Sequence, residues 1–342
     1  MRSYTRRIDV YRNGAKVTEL KAVEAPTVNA DSSAQIKMSM SGTFLYNPLV
    51  DYLNDDLKAW QIIDGIAYPV GVFPVGTYQD IYTENGAHHV RLEAYDRCFR
   101  LQQTRTESIL HMDSGTNYID AVGQLLVGAG IGLYLSTPTD LTLTTAREWD
   151  IGTDYLTIAN ELLSEINYQS IWFNADGYAV LQPAAQPNAS RINHYYDSST
   201  KLSVLRPDCT SETDIFDKPN VFIVVCGNPD LPAPLTATAE NNNPLSALSI
   251  FKRGRRIASV YNVDNIASQT ELDKYAQRLC QESILSSEVV TFQTANMPNH
   301  GVYDILAISH PEIQGIFQET SWSMSLEAGA LMTHTARRSI LI

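Results

Sequence analysis

The sequence predicts a β-rich α+β protein, with β structure in the first and last parts of the chain and a small mixed region between them. Two Asn-Gly pairs, at 13–14 and 85–86, separate runs rich in alternating apolar residues, which is typical of β-hairpins. Apolar residues recur with helical spacing near residues 117–127, 155–166 and 269–285. We therefore expect three domains of ordinary size, at residues 1–105, 106–205 and 206–342.

The first domain is predicted to be a β-barrel or a β-sandwich. Strands at 7–12 and 15–20 flank Asn13 and Gly14, whose residue types suit the positive φ angles of a type I′ turn. Strands at 70–82 and 88–94 flank Asn85 and Gly86 and predict a second hairpin with the same turn chemistry. Residues 35–40 alternate as a further strand.

The second domain, residues 106–205, is predicted to be a small α+β unit. Thr116 is the expected N-cap of a helix over 117–127, and a second helix should cover 155–166. Their inward faces are predicted to hold Tyr118, Val122, Leu125 and Leu126 in the first helix, and Leu156, Ala159, Leu163 and Ile166 in the second. Residues 171–181 should form a hairpin, and 182–190 an exposed link.

The third domain, residues 206–342, should be a closed or nearly closed β-barrel that carries one helix. Ser268 and Glu271 form an S-x-x-E capping box, which predicts a helix from Gln269 to about Leu285. Strands are expected at 288–292, 303–308, 315–322 and 331–338, and the Pro- and Asn-rich interval 228–246 should be a long loop. Such a domain offers surfaces for packing and no evident place for catalysis.

Composition and charge exclude several classes of function. The chain has 25 Lys and Arg against 38 Asp and Glu, a formal net charge of −13, which argues against sequence-independent binding to nucleic-acid phosphates. No apolar run is long enough to span a bilayer, and the start of the chain lacks the apolar core of a secretory signal, so we expect no membrane insertion. The four scattered cysteines should be small core residues of a protein that folds in a reducing cytosol.

Candidate chemical sites are weak, and we predict no catalytic, cofactor-binding or metal-binding residues. The glycine-rich run 128–132 follows a helix and precedes a strand, which predicts a helix C-cap and not a phosphate loop. His88 and His89 are adjacent on a strand and point to opposite faces, while His300 and His310 are interpreted as surface or turn residues. The acidic pairs at 55–56 and 148/150 are interpreted as solvated side chains, and no nucleophile elbow is present.

One basic cluster interrupts the acidic chain. Lys252, Arg253, Arg255 and Arg256 place four cations within five residues. They form either a solvated loop or an inter-subunit interface in which arginine binds the carboxylates of a neighbouring copy.

A set of short segments occurs in a fixed order along nearly the whole chain. In the last quarter they are MPNH (297–300), YD (303–304), SWSMSL (321–326), GALM (329–332) and RR (337–338). Upstream they are GIAYPVGVF (65–73), YDR (95–97), GTNYIDAV (115–122), INYQSIW (166–172), PN (219–220), VVCGNP (224–229) and GRRI (254–257). As an ordered set, these segments resemble the hub proteins of phage tails and tail-like particles.

The resemblance implies two tail-tube-like β-barrel domains per chain, with the small α+β domain between them. A faint internal similarity agrees with this, because residues 71–97 and 315–338 share the order Gly-x-Phe, strand, turn, strand and Arg. That similarity is either a duplicated barrel or the likeness that any two hairpins share. Three copies with two barrels each would present six barrels, which matches a six-fold tail tube.

The implied function is structural: a trimeric hub at the tip of a phage tail or tail-like particle, which joins the six-fold tube to a three-fold spike and keeps a channel open. The implied partners are further copies of the chain, the tube protein, a distal tail or baseplate ring protein, a spike or fibre-bearing tip protein, and the tape-measure protein. DNA would pass without specific binding. The alternatives are a cell-wall hydrolase or carbohydrate-binding tail-tip protein, and a hexameric distal tail ring protein. Hydrolases usually follow the hub fold, and the sequence stops after the last predicted strand, so we expect no enzymatic activity.

Overall fold

The computed structural model describes residues 3–184, 188–201, 203–213, 216, 218–227, 234–263, 265–266, 268–285 and 288–338. The N-terminal part contains seven strands. They are β1 (Tyr4–Arg12), β2 (Ala15–Leu20), β3 (Thr27–Asp31), β4 (Met38–Leu45), β5 (Asp56–Ile63), β6 (Ile66–Tyr82) and β7 (His88–Tyr95). Apart from β3, these strands follow one another in the order β4-β7-β6-β5-β1-β2, and every neighbouring pair is antiparallel.

The segment after β2 returns to the far end of this strand order. The amide of Val23 donates to the carbonyl of Thr43 in β4 at 2.8 Å, and the amide of Leu45 donates to the carbonyl of Lys21 at 2.8 Å. These bonds bring the exit of β2 against β4, so six strands surround a common apolar core that includes Phe44.

The two predicted hairpins form, but their turns differ. Asn13 and Gly14 have φ of 51° and 80°, as a type I′ turn between β1 and β2 requires. Between β6 and β7 only Gly86 has a positive φ, 79°, and its amide donates to the carbonyl of Thr83 at 2.9 Å. This longer loop replaces the predicted two-residue turn, because Asn85 keeps a negative φ and uses its side chain to accept from the amide of Ala87.

The middle of the chain is a small α+β unit around its own core. It contains α1 (Cys98–Gln103), β8 (Leu110–Met112), α2 (Tyr118–Gly128), β9 (Tyr134–Ser136), β10 (Arg147–Trp149), α3 (Tyr155–Glu165), β11 (Trp172–Phe173) and β12 (Ala179–Leu181). All eight apolar residues that the sequence places on the inward helix faces are buried. The N-cap of α2 is Asn117, one residue later than predicted, and its side chain accepts from the amides of Ile119 and Asp120.

The glycine-rich run 128–132 ends α2 as predicted. Ala129 is the C-cap, Gly130 has a φ of 75°, and β9 begins at Tyr134. A helix therefore precedes these glycines and a strand follows them, which is the reverse of the order in a phosphate loop.

The C-terminal part contains nine strands and two helices. After a short 3₁₀ turn at Ala189–Arg191 come β13 (His194–Asp197), β14 (Leu205–Thr213), β15 (Val221–Cys226), β16 (Leu235–Glu240), α4 (Ile250–Arg253), β17 (Ala258–Val263), α5 (Gln269–Leu285), β18 (Glu288–Ala295), β19 (Ile305–Ser309), β20 (Gln314–Ser325) and β21 (Leu331–Arg338). The predicted loop 228–246 contains β16, and its residues 228–233 lie outside the described part of the chain.

Helix α5 has the predicted bounds but a different packing partner. The hydroxyl of Ser268 accepts from the amide of Glu271 at 3.2 Å, which is half of the expected capping box. The helix packs on a separate three-stranded sheet, β16-β15-β17, and not on the barrel strands as predicted. Leu272, Ala276 and Cys280 are buried there.

Strand β20 joins the two ends of the chain in one large sheet. Its first half pairs with β19, and its second half pairs with β3, which continues into β4 and β7. Phe317 in the first half lies in the core of the C-terminal strands, while Trp322 and Met324 in the second half lie in the N-terminal core. A register shift between Glu319 and Ser321 changes which residues face inward, so both halves present apolar side chains to a core.

No helix within the described residues is long and apolar enough to cross a membrane. Cys98, Cys226 and Cys280 are buried, as predicted for small core residues, and Cys209 is partly buried.

Candidate assembly surface and buried histidine cluster

The predicted basic cluster lies at the end of the short helix α4. Ser249 caps this helix by accepting from the amide of Lys252 at 3.2 Å. Gly254, with a φ of 64°, ends it and redirects the chain into β17. Lys252, Arg255 and Arg256 are consequently exposed, and Arg253 is half-buried.

Two of the four cations have partners within the chain. Arg256 forms a 2.6 Å ion pair with Glu240, and its guanidinium lowers the pKa of that carboxyl. Arg253 donates to the carbonyl of Lys218 at 2.7 Å. Among the described residues, no carboxylate forms an ion pair with Lys252 or Arg255 (both exposed), so their charges remain available to another molecule.

Apolar residues accompany these cations. Phe251 is 70% exposed and lies beside Lys252 in α4. Strand β17, which follows, pairs only with β15 among the described strands and leaves Val260 58% exposed. We call Phe251, Lys252, Arg255 and Arg256 the candidate assembly surface, because an exposed aromatic ring beside exposed cations is typical of protein interfaces.

The acidic pair at 55–56 is structural, in contrast to the predicted solvated side chains. Asp55 is 1% exposed and forms a 2.7 Å ion pair with Arg12. Asp56 is 6% exposed and binds Arg97 and Arg100 at 2.9 and 2.7 Å. These ion pairs lie within the fold and leave no open pair of carboxylates.

The second acidic pair is exposed, as predicted. Glu148 is an exposed residue that lies 3.0 Å from His111, and Asp150 is also exposed.

His300 and His310 are buried, which corrects their interpretation as surface or turn residues. They are 6% and 7% exposed. His88 lies 2.7 Å from Asp80 and stacks on Tyr46, in agreement with a structural role.

His300 belongs to a cluster that also contains Glu319 and His334, two residues that the sequence interpretation missed. The side chains of all three have no exposed surface. Nδ1 of His300 lies 2.8 Å from Oε2 of Glu319, and Nδ1 of His334 lies 2.5 Å from Oε1. Glu319 lies on the same buried face of β20 as Phe317, and His334 lies on the same buried face of β21 as Ala336. This shared face was the available signal.

The other ring nitrogens of this histidine cluster also have partners. Nε2 of His300 lies 2.7 Å from the hydroxyl of Tyr196, and Nε2 of His334 lies 2.8 Å from the hydroxyl of Thr294. The Thr294 hydroxyl donates to the carbonyl of Ala295 at 2.8 Å.

A second layer covers His300. The ring of His194 stacks on it with centroids 3.8 Å apart and planes within 6°. Nε2 of His194 lies 3.2 Å from Oδ2 of Asp304, and that oxygen accepts from the amide of Gly301 at 2.7 Å. Asp304 Oδ2 is 3.9 Å from Nδ1 of His300.

Burial dominates the electrostatics of this cluster. It raises the pKa of Glu319 to about 7, and it lowers the pKa of His300 to about 3. Burial also lowers the pKa of His334, against the opposing effect of its bond to Glu319. Both imidazoles are therefore neutral near neutral pH.

A polar groove of about 800 Å³ lies between α3, α5 and strands β20 and β21. Its lining includes Asn167, Gln281 and Thr320.

No protein-family model matches the chain, and no curated protein matches its sequence. Solved structures do match. A tail protein from Neisseria meningitidis MC58 aligns over 97% of this chain and 96% of its own, with a TM-score of 0.70 at 13% identity. The chain has the fold of a phage tail protein.

Two further structures support this fold. The 43 kDa tail protein of prophage MuSo2 from Shewanella oneidensis aligns over 98% of this chain and 99% of its own, with a TM-score of 0.66 at 12% identity. The E. coli c3393 protein, a type VI secretion component described as similar to the T4 tail proteins gp27 and gp5, covers 96% of this chain and 76% of its own, with a TM-score of 0.53 at 10% identity. The resemblance predicted from sequence is thus confirmed at the level of the fold.

Proposed function

We propose that this chain is a structural protein of a phage tail or tail-like particle, and specifically the trimeric hub at its tip. The observation that carries the proposal is the end-to-end match to tail proteins, which covers both the β-rich ends and the α+β region. Since the match spans nearly all of both chains, it describes the whole architecture and not one common module.

Two tail-tube-like barrels per chain agree with the strand pairing. The N-terminal strands nearly close through the bonds between β4 and the segment after β2. The C-terminal strands follow the order β14-β18-β21-β20-β19-β13 around a separate core that includes Phe317. On this view 1–105 and 206–342 are the barrel domains and 106–205 is the α+β domain, with α5 and its three-stranded sheet inserted in the second barrel.

The hub would join the six-fold tube and the ring proteins above to a three-fold spike below. Three chains supply six barrels, which removes the symmetry mismatch. Static light scattering on the purified protein, or the symmetry of the particle by electron microscopy, should give three copies. A stable ring of six would instead identify the hexameric distal tail ring protein and refute the hub.

The candidate assembly surface is proposed as an inter-subunit contact. Charge reversal of Lys252 and Arg255 should leave the monomer folded, because neither forms an ion pair within the described structure. Assembly should weaken, with the larger loss at low salt where charges are less screened. The matched control reverses the exposed Lys201 and Arg206 and changes the net charge equally. Equal assembly of the two variants would show that the cluster is a solvated loop and not an interface.

The proposed channel would let DNA and the tape-measure protein pass without binding them. Each chain has a formal charge of −13, so three copies repel a phosphate backbone on average. The purified protein should therefore show no salt-sensitive DNA binding in a gel-shift assay. Tight binding that falls steeply with salt would assign the basic cluster to nucleic acid and overturn the passive channel.

A further inference from the structure

The buried histidine cluster has no role in the proposed assembly, and burying so many polar groups in a core is energetically unfavourable. His300, Glu319 and His334 have fully buried side chains, and Asp304 and His194 are each 13% exposed. Burying a carboxylate costs several kcal/mol unless a cation or hydrogen bonds compensate it. No Lys or Arg among the described residues pairs with Glu319 or Asp304.

Glu319 is the shared partner of both imidazoles. Its Oε2 lies 2.8 Å from Nδ1 of His300, and its Oε1 lies 2.5 Å from Nδ1 of His334. A buried carboxylate between two imidazole nitrogens is held either by shared protons or by a metal ion that binds all three side chains.

We propose that this cluster is a structural site for a divalent metal ion of the zinc class. The ligands are Nδ1 of His300, Nδ1 of His334 and the carboxylate of Glu319, whose atoms all lie within 4.8 Å of one another. Asp304 would complete the set by moving toward the other three, since its Oδ2 lies 3.9 Å from Nδ1 of His300 and it groups within 4.8 Å of His300 and His194 but not with Glu319 and His334. Imidazole nitrogens and carboxylate oxygens in a four-ligand set suit Zn²⁺, and two carboxylates neutralise its charge in a buried site.

The surroundings are those of a preorganised ligand set. The second nitrogen of each imidazole is held by a hydroxyl, Tyr196 for His300 and Thr294 for His334, and such partners fix the ring orientation in metal sites. The amide of Glu319 donates to the carbonyl of Asp304 at 2.8 Å, which fixes these two ligands beside each other. Tetrahedral coordination with bonds of about 2.0–2.2 Å places ligand atoms about 3.3–3.5 Å apart. Binding would therefore move Nδ1 of His334 and Oε1 of Glu319 apart by about 1 Å and draw Asp304 inward.

The ion would tie three elements together. His300 lies in the loop before β19, Glu319 lies at the register shift of β20, and His334 lies on β21. The site is closed, with no open coordination position, so its effect would be on stability and not on catalysis.

The first test counts metal in protein expressed with added zinc and desalted without chelator. Mass spectrometry of the elements should find about one ion per chain in the wild type and in His111→Gln, whose exposed histidine also lies beside two carboxylates. Glu319→Gln and His334→Gln should contain none. A wild type without metal, or equal metal in all four proteins, overturns the proposal.

The second test needs no ligand variant, so a folding failure of Glu319→Gln cannot hide the answer. Wild-type protein is unfolded and refolded with either zinc or a chelator, since a closed site fills during folding. Refolding with zinc should raise the Tm, and refolding with Co²⁺ should give the visible absorption of tetrahedral cobalt. Equal Tm values with and without zinc would refute the metal site and would mean that Glu319 and His334 share a proton instead.

A third variant separates ligand positioning from packing. Tyr196→Phe keeps all four ligands and removes only the partner of His300 Nε2. It should weaken metal affinity by about 10–100-fold. An unchanged affinity would show that the tyrosine has no part in a metal site.

Discussion

Leu272 is the most deeply buried of the α5 side chains in this core, and its truncation gives a sharp test of the fold. Leu272 is fully buried against the three-stranded sheet, whereas Leu279, seven residues later, is only partly buried. Leu272→Ala removes three buried carbon atoms, at about 0.8 kcal/mol each by transfer. A residual cavity adds to this, so the total loss should be about 2–5 kcal/mol.

The control is Leu279→Ala on the same helix, which should cost less, about 1 kcal/mol, because this side chain is only partly buried at the margin of the same core. Both free energies of unfolding can be measured by urea denaturation followed by circular dichroism at 222 nm. Hydrogen exchange of the α5 amides would show whether the helix opens locally before the rest unfolds. A loss for Leu279→Ala equal to or above that for Leu272→Ala would refute the observed helix orientation.

Three further predictions concern buried charges and one tight contact. Burial raises the pKa of Asp96 from 3.8 to about 6, so the folded state holds this proton more tightly than the unfolded state. Its contribution to stability should fall by about 3 kcal/mol as pH rises from about 4 to about 6, and Asp96→Asn should remove that part of the pH profile in urea titrations. Arg147→Met should destabilise the α+β unit by about 3–5 kcal/mol, because it leaves the buried Glu165 without its ion partner; a loss below 1 kcal/mol in the same assay would contradict this. Gly177 has a φ of 82°, and a Cβ there would lie 2.9 Å from Val72, so Gly177→Ala should lower the Tm clearly while Gly14→Ala, with open space around it, should lower it less.

Local signals predicted the local elements well. The apolar spacing of α2 and α3 identified all eight inward residues, and the Ser268 cap fixed the start of α5. These features depend on neighbours within a few turns, which a sequence displays directly.

The packing partner of α5 could not be predicted in this way. The interval that contains β16 was predicted to be a long loop, and only the tertiary fold places β16 with β15 and β17 in a separate sheet. The two-residue turn predicted after β6 was wrong for a related reason. The length of the loop, and not the Asn85-Gly86 pair alone, decides the turn type.

The histidine cluster escaped prediction because its residues are distant in sequence and because the inward-facing positions of β20 change from odd to even residue numbers. Phe317 and Glu319 face inward at odd positions, and Trp322 and Met324 at even ones, since the register shift lies between them. Simple alternation therefore hides Glu319 among residues that look outward-facing.

The double membership of β20 has a consequence during synthesis. Strand β3 hydrogen-bonds to β20, so Val28 and Met40 of the N-terminal core cannot complete their packing until Trp322 and Met324 have been synthesised. At about 5–20 residues per second, the ribosome needs on the order of 15–60 s to make the intervening chain. For that interval an apolar sheet edge is uncovered in the cell. The nascent protein should therefore depend on chaperones, and a fragment that stops before β20 should aggregate even though it contains all seven N-terminal strands.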